Sequence, residues 1–437
     1  MLFRGVEDSK SRQARDTLQF SAIDMLATAA SHGADAMEAL VTAKRIEDEI
    51  ASGNVTVADT IQVWSSVWTA AGDAALTAAA SFEKQSLPRS AASAYGRASA
   101  YLAVGERFDN HTSPQALERF NRSVTAFQAA LRLRGSPCGP VRVPYTGPGA
   151  QAGAFLHAYW CCPAGAAKSP SLVLMTGYDG TAEMLVGQIG EPATSRGMCA
   201  LAVEGPGQGS VARFQGLRFR PDWGAVTRQV MDWAESGLAG YDPARVALWG
   251  RSFGGHLAPK AFATIPARTA ALVADGGMRD AYQTFVCQLP DSLQQLWYTD
   301  QAKFEEYMRF GATTSLSLHS IFAFGRLGFG AASFTELYTM LQDYTMSDAE
   351  MAAVAAGNVL VNDPAADTTV GNQSAIFFAA LPRPLTPATM MLELPADRGA
   401  GLHCGVGSTS VASEQQLGWA QSVLESPDGV SQPTRSP

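Results

Sequence analysis

A serine between glycines at the tip of an apolar strand is placed to act as a nucleophile, and Gly250-Arg251-Ser252-Phe253-Gly254 has that form. RVALWG (245–250) reads as a strand and GGHLAPKAFATI (254–265) as the helix that follows it. A strand-to-helix turn this tight holds the serine in a strained backbone with its Oγ exposed. Gly250 and Gly254 let strand and helix approach closely, and the backbone N–H of Phe253 is offered to an oxyanion. A serine hydroxyl is a poor nucleophile without a base, and the base needs a third group to fix its tautomer.

On a parallel sheet with such an elbow, the chain order is serine, acid, histidine. Of the six histidines, His32, His111 and His157 precede Ser252. His256 lies one helical turn past the serine and points off its helix, and His319 lies in SLSLHS, outside the sheet pattern. His403 sits near the end of the sheet in DRGAGLHCG, whose glycines let an imidazole reach the elbow; it is the favoured base, with His319 the remaining alternative. The exit loop NDPAADTTV offers Asp363 and Asp367 as the acid. Asp367 is better placed to reach an imidazole, while Asp363 can cap the turn before Pro364. A second oxyanion donor is expected from MTGYDGTAE (175–183), as the N–H of Tyr178 or, second, of Asp179. Glu183 either holds that first loop rigid or is a solvated carboxylate at a helix start. EGPGQG (204–209) has the glycines of a phosphate loop, but no GK[ST] follows, so a nucleotide site is not expected. No metal site and no cofactor are expected, because no His, Cys and Asp cluster has ligand spacing.

Three kinds of segment must position these groups. Residues from about 17 to 134 read as helices. Apolar residues recur at three- and four-residue steps in IDMLATAASHGADAMEALVTAKRIEDEIA, Trp64 and Trp68 are spaced i, i+4, and the last helix ends at Gly135. Breaks fall at Asn54 to Asp59 and Ser86 to Ser90, where cap and turn residues gather. From about residue 138 a β-meander (PVRVPYTG, GAFLHAYW) leads into apolar strands alternating with helices: SLVLMTG, MCALAVEGPG, RVALWGRS, TAALVADGG and NVLVNDP. That pattern is a mostly parallel sheet flanked by helices, with ligands at the carboxyl ends of its strands. The segment from about 281 to 350 breaks the rhythm. It is rich in Leu, Phe, Tyr and Met, and is read as a helical cap insertion, with two or three sheet-covering helices as the alternative. The expected division is a helical domain over 1–135, a catalytic domain over 136–426 containing that insertion, and a disordered tail over 427–437.

Of the 437 residues, 46% are hydrophobic and 16% charged. That charge is low against a typical ~25%, which fits a large buried core. A net charge of −8 argues against nucleic acid or an anionic membrane as a partner. The first residues contain no apolar stretch of signal-peptide type, and no apolar run reaches the ~18 residues of a membrane span. Six cysteines without a CxxC pair are read as free thiols of a reducing, cytoplasmic compartment.

Several motifs together resemble one family. GYDGTAE (177–183), EGPGQG (204–209), QGLRFRPDW (215–223), YDPARVALWGRSFGGHLAPKAFA (241–263), the Asp367 loop and GAGLHC (399–404) are similar to α/β-hydrolases that include 2,6-dihydroxypseudooxynicotine hydrolase and the fungal polyketide-shortening hydrolases of pigment pathways. IEDEI, Trp64 and Trp68, and SAYGRASAYL extend the resemblance into the helical region. It implies an α/β-hydrolase fold with an N-terminal helical domain and a helical cap, a triad of Ser252, Asp367 and His403, and a homodimer. It also implies hydrolysis of a C–C bond beside a ketone, by retro-Claisen chemistry, or of an acyl bond. The partner would be a small apolar or aromatic ketone or acyl compound of polyketide type. An acyltransferase or cyclase using the same site is the alternative. The chain departs from the family in NDPAADTT, which lacks a second acidic residue beside Asp367, and in the long Pro-rich stretch AALPRPLTPATMMLELPADRGAG (379–401).

Overall fold

A computed structural model describes residues 33–51 and 55–426. His32 and the expected tail over 427–437 lie outside the described residues.

The chain divides into two compact units. One comprises the described residues up to Ser136 together with Pro290–Leu337. Its first four described helices are α1 (Ala36–Ala51), α2 (Val57–Lys84), α3 (Pro88–Gly105) and α4 (Pro114–Arg134). Their ends follow from local chemistry. Thr56 accepts a hydrogen bond from the N–H of Asp59 while the Asp59 carboxylate accepts from the N–H of Thr56, a capping box that starts α2. Ser113 caps α4 ahead of Pro114, and Gly135 ends it in the left-handed conformation at φ 68°. Trp64 and Trp68, one turn apart, are fully buried with Tyr101 and Phe108, and Leu316 of the later segment joins the same core. The expected insertion over 281–350 is therefore divided, its middle belonging to the helical unit and its ends to the sheet unit.

The second unit holds an eight-stranded sheet in the order β1-β2-β4-β3-β5-β6-β7-β8. The strands are β1 (Cys138–Pro144), β2 (Phe155–Cys161), β3 (Lys168–Met175), β4 (Cys199–Val203), β5 (Gly240–Arg251), β6 (Ala271–Asp275), β7 (Asn358–Pro364) and β8 (Met390–Leu394). β2 runs antiparallel to β1 and β4, and every other pairing is parallel. β4 and β6 are buried at every residue, as interior strands covered on both faces must be. This is the mostly parallel sheet flanked by helices that the strand tips had indicated. β8 was hidden in the Pro-rich stretch, because five residues behind three prolines give too short an alternation to read.

The cysteines correct the sequence reading. Cys138 is bonded to Cys161 and Cys162 to Cys199, leaving Cys287 exposed and Cys404 buried as free thiols. Cys138 and Cys161 are opposite each other across β1 and β2, and Cys199 opens the strand paired with β2. Sequence spacing does not carry that cross-strand pairing. No helix among the described residues is long and apolar enough to cross a membrane.

Candidate active site

The elbow forms where β5 ends at Arg251 and the helix Gly254–Thr264 begins. Ser252 stands between them at φ 60°, a left-handed backbone that costs a non-glycine residue roughly 1–3 kcal/mol. Its surroundings enforce it. The Ser252 N–H donates to the carbonyl of Asp275 at the tip of β6, at 2.8 Å. A Cβ on Gly254 would lie 2.7 Å from the carbonyl oxygens of Met175 and Thr176, and one on Gly250 would strike the backbone of Gly254. Only glycines allow helix and strand so close.

His403 lies in a one-turn 3-10 helix after β8 and is buried. Its Nε2 is 2.8 Å from Ser252 Oγ, and its Nδ1 is 2.7 Å from Asp367 Oδ2. The other oxygen of Asp367 accepts from the N–H groups of Thr369 and Val370, at 2.8 and 3.1 Å, which fixes the carboxylate in its loop. The structure thus brings Ser252, His403 and Asp367 into one hydrogen-bonded chain. Asp363 is elsewhere: it is paired in register with Glu393 of β8, and burial and the charges of Glu393 and Asp367 raise its pKa.

The remaining histidines are engaged in other ways. His319 meets the carbonyl of Phe108 at 3.2 Å, within the helical unit. His111 bonds the buried Glu106. His256 bonds the carbonyl of Met278, and burial lowers its pKa to about 4.

Burial works against the charge of Asp367, but its hydrogen bond with His403, the imidazole's charge and the two N–H donors hold it below the usual carboxylate range. For His403, burial opposes the imidazolium, while the hydrogen bond and charge of Asp367 favour it and raise its pKa above the ordinary value. The Cys404 thiol is itself raised by burial, so it keeps its proton at neutral pH. Its Sγ lies 3.5 Å from His403 Nε2 and 3.4 Å from the carbonyl of Asp275.

The loop that follows β3 runs against Ser252. A Cβ on Gly177 would lie 2.6 Å from Ser252 Cβ and 2.9 Å from its Oγ. Tyr178 and Phe253 are therefore neighbours across the elbow, with ring centroids 6.2 Å apart. Phe219 and Phe285 join them, at 5.2 Å from Phe253 and Tyr178 respectively. Glu183 is buried rather than solvated: its carboxylate accepts from Tyr159 at 2.8 Å and meets His157 Nε2 at 3.0 Å.

Sequence reasoning missed the floor of this site. Arg251, Asp275 and Asn362 are direct neighbours across β5, β6 and β7, and Asn362 donates to Asp275 at 2.7 Å. Gly276 was visible only as one of the glycines of ADGG, yet a Cβ there would press within 3.2 Å of the His403 ring. Among the described residues no group of His, Cys, Asp and Glu could hold a metal ion.

Sheet order, elbow and the loops at the strand tips define the class: the chain has the α/β-hydrolase fold. No family model matches it. It is similar to hydrolase acrC of Aspergillus aculeatus, at 28% identity over 440 residues that cover 94% of this chain and 97% of the relative. It is also similar to 20-hydroxy-prefusarin hydrolase FUS2 of Gibberella moniliformis, at 24% identity over 427 residues, covering 94% and 97%. Among solved structures, that of 2,6-dihydroxy-pseudo-oxynicotine hydrolase matches with a TM-score of 0.64 and 17% identity, covering 91% of this chain and 95% of that one. The resemblance first carried by GYDGTAE, EGPGQG and GAGLHC is thereby borne out for fold and for similarity to fungal hydrolases.

Proposed function

We propose that the chain is a serine hydrolase that cleaves a C–C bond beside a ketone, or an acyl bond, of a polyketide-like secondary metabolite through an acyl-enzyme. The observation that carries this reading is the chain from Asp367 through His403 to Ser252, with bonds of 2.7 and 2.8 Å. His403 takes the Ser252 proton at Nε2 as Oγ bonds to the substrate carbonyl carbon, and Asp367 fixes the tautomer and steadies the imidazolium. The N–H groups of Phe253 and Tyr178 receive the oxyanion, where one preorganised donor is worth about 3–4 kcal/mol. The C–C bond then breaks, and its electron pair leaves as the enolate of the second ketone. The imidazolium proton is transferred to that leaving group. Water, deprotonated by His403, attacks the acyl-enzyme, freeing a carboxylic acid and restoring the serine.

A cluster of packed rings, Tyr178, Phe219, Phe253 and Phe285, with Phe253 next to Ser252 in the chain and Tyr178 next to Gly177, supports an apolar substrate. The similarity to a relative named 20-hydroxy-prefusarin hydrolase supports hydrolysis of a secondary metabolite. The homodimer rests on resemblance and belongs to the same proposal, whereas the cytoplasmic location loses its support in free thiols, because four of the six cysteines are paired.

Turnover of a β-diketone or aryl ester in water enriched in heavy oxygen tests the reading. One labelled oxygen in the released carboxylate is expected. An unlabelled product would contradict hydrolysis and favour acyl transfer or cyclisation at the same serine.

A further inference from the structure

EGPGQG has no part in the chemistry above, yet its two polar side chains are among the most deeply buried in the sheet unit: Glu204 is 0% and Gln208 1% exposed. Both reach onto the loop beside Ser252. Gln208 Nε2 donates to the carbonyl oxygens of Thr176 and Gly177, at 2.6 and 3.2 Å, while its Oε1 accepts from the N–H of Gly205 at 2.8 Å. Glu204 accepts from the N–H of Ala182 at 3.0 Å with one oxygen and from the N–H of Ser210 at 2.7 Å with the other. The segment 176–182 is thus tied at both ends to 204–210. Gly209 leaves room for the Glu204 carboxylate, which any Cβ there would strike.

Peptide planarity gives these bonds a consequence. In a trans peptide the C=O of one residue and the N–H of the next point in opposite directions. Holding the carbonyls of Thr176 and Gly177 on Gln208 therefore aims the N–H groups of Gly177 and Tyr178 the other way. Gly177 is the residue whose Cα faces Ser252. We propose that Gln208 is a positioning residue that locks the peptide planes between 176 and 178, with Glu204 anchoring the far end of the same loop at Ala182, so that the Tyr178 N–H faces the oxyanion formed at Ser252. This rests on the reading of Ser252 as the nucleophile of an acyl-enzyme. A flip of either plane would present a carbonyl oxygen where a donor is required. The buried Gln208 amide prevents it, because each flip would strand its donor and the carbonyl it holds.

The test uses p-nitrophenyl butyrate hydrolysis and a trifluoromethyl ketone, whose serine adduct carries an oxyanion. Gln208→Met keeps the volume and loses the donor. Gln208→Glu keeps an acceptor for Gly205 and also loses the donor to the two carbonyls, and it carries the expectation alone should the Met variant not fold. Either variant is expected to lose about 10²–10³ in kcat with KM little changed, and to bind the trifluoromethyl ketone more weakly by a similar factor. Glu204→Gln is expected to lose less. Wild-type kcat and ketone affinity in a folded Gln208 variant would overturn the proposal. So would parallel losses in kcat, KM and melting temperature without a selective loss of ketone affinity, which mark a structural role alone. Ser252→Ala run alongside separates the two ideas: if it still hydrolyses the ester, the nucleophile reading fails, whereas if it is dead and the Gln208 variants are fully active, only the positioning role fails.

Discussion

At the scale of single residues, the hydrogen bonds of His403 decide the chemistry. In the proposed mechanism His403 is the base and works only when neutral, so activity should fall as pH drops through its pKa. Burial opposes that pKa while the hydrogen bond and charge of Asp367 raise it above the ordinary imidazole value, so the acid limb of kcat/KM is expected above pH ~6.5. Asp367→Asn removes the charge that favours the imidazolium, and should shift that limb to lower pH while cutting kcat by about 10⁴. An unshifted limb with near-normal kcat would mean that Asp367 is not the orienting acid, and Asp363→Asn then becomes the variant to measure. The hydrogen-bonded arrangement of Ser252, His403 and Asp367 was legible beforehand. Elimination by chain order led to His403, and the loop position of Asp367 favoured it over Asp363. Cys404 and the Asp275 carbonyl were not legible, because a backbone acceptor and a neutral thiol carry no pattern that spacing reveals.

At the scale of elements, the elbow and the cluster beneath the first loop carry separate expectations. Gly254→Ala places a methyl 2.7 Å from two strand carbonyls. It should destabilise the protein by about 1–3 kcal/mol, read as a lower denaturant midpoint, and should reduce activity beyond that by displacing Ser252. Unchanged stability would show that helix and strand are farther apart than described. In the buried cluster, burial and the charge of Glu183 push Glu204 up to about 7, above its unfolded value. Burial opposes charge on His157, but its bond with Glu183 carries it up to about 9. Both folded values are raised, so both groups contribute stability that is present at low pH and lost as pH rises, through about 7 for Glu204 and about 9 for His157. Glu204→Gln should therefore melt progressively closer to, or above, wild type as pH rises from 5 to 8; a difference independent of pH would contradict the shared burial of these groups. The elements themselves were mostly legible, since buried parallel strands ending in Gly, Asp or Ser stand out in sequence. β8 did not, being five residues behind prolines, and the division of 281–350 between two units depends on long-range packing such as that of Leu316 with Trp64 and Phe108.

For the whole molecule, the cysteine pairing is the largest departure from the sequence reading. Spacing suggested six free thiols, whereas strand register joins Cys138 to Cys161 and Cys162 to Cys199. Thiol titration of unreduced, denatured protein should find two reactive groups, Cys287 and Cys404; a count of six would contradict the pairing. The broader account, a hydrolase working through a serine acyl-enzyme, depends on one reactive oxygen. Its most direct test is a fluorophosphonate probe followed by peptide mass spectrometry. A single adduct on Ser252 is expected, absent from Ser252→Ala and slowed by about 10³-fold or more in His403→Ala. Labelling that persists in Ser252→Ala, or no labelling of the folded wild-type chain, would contradict it.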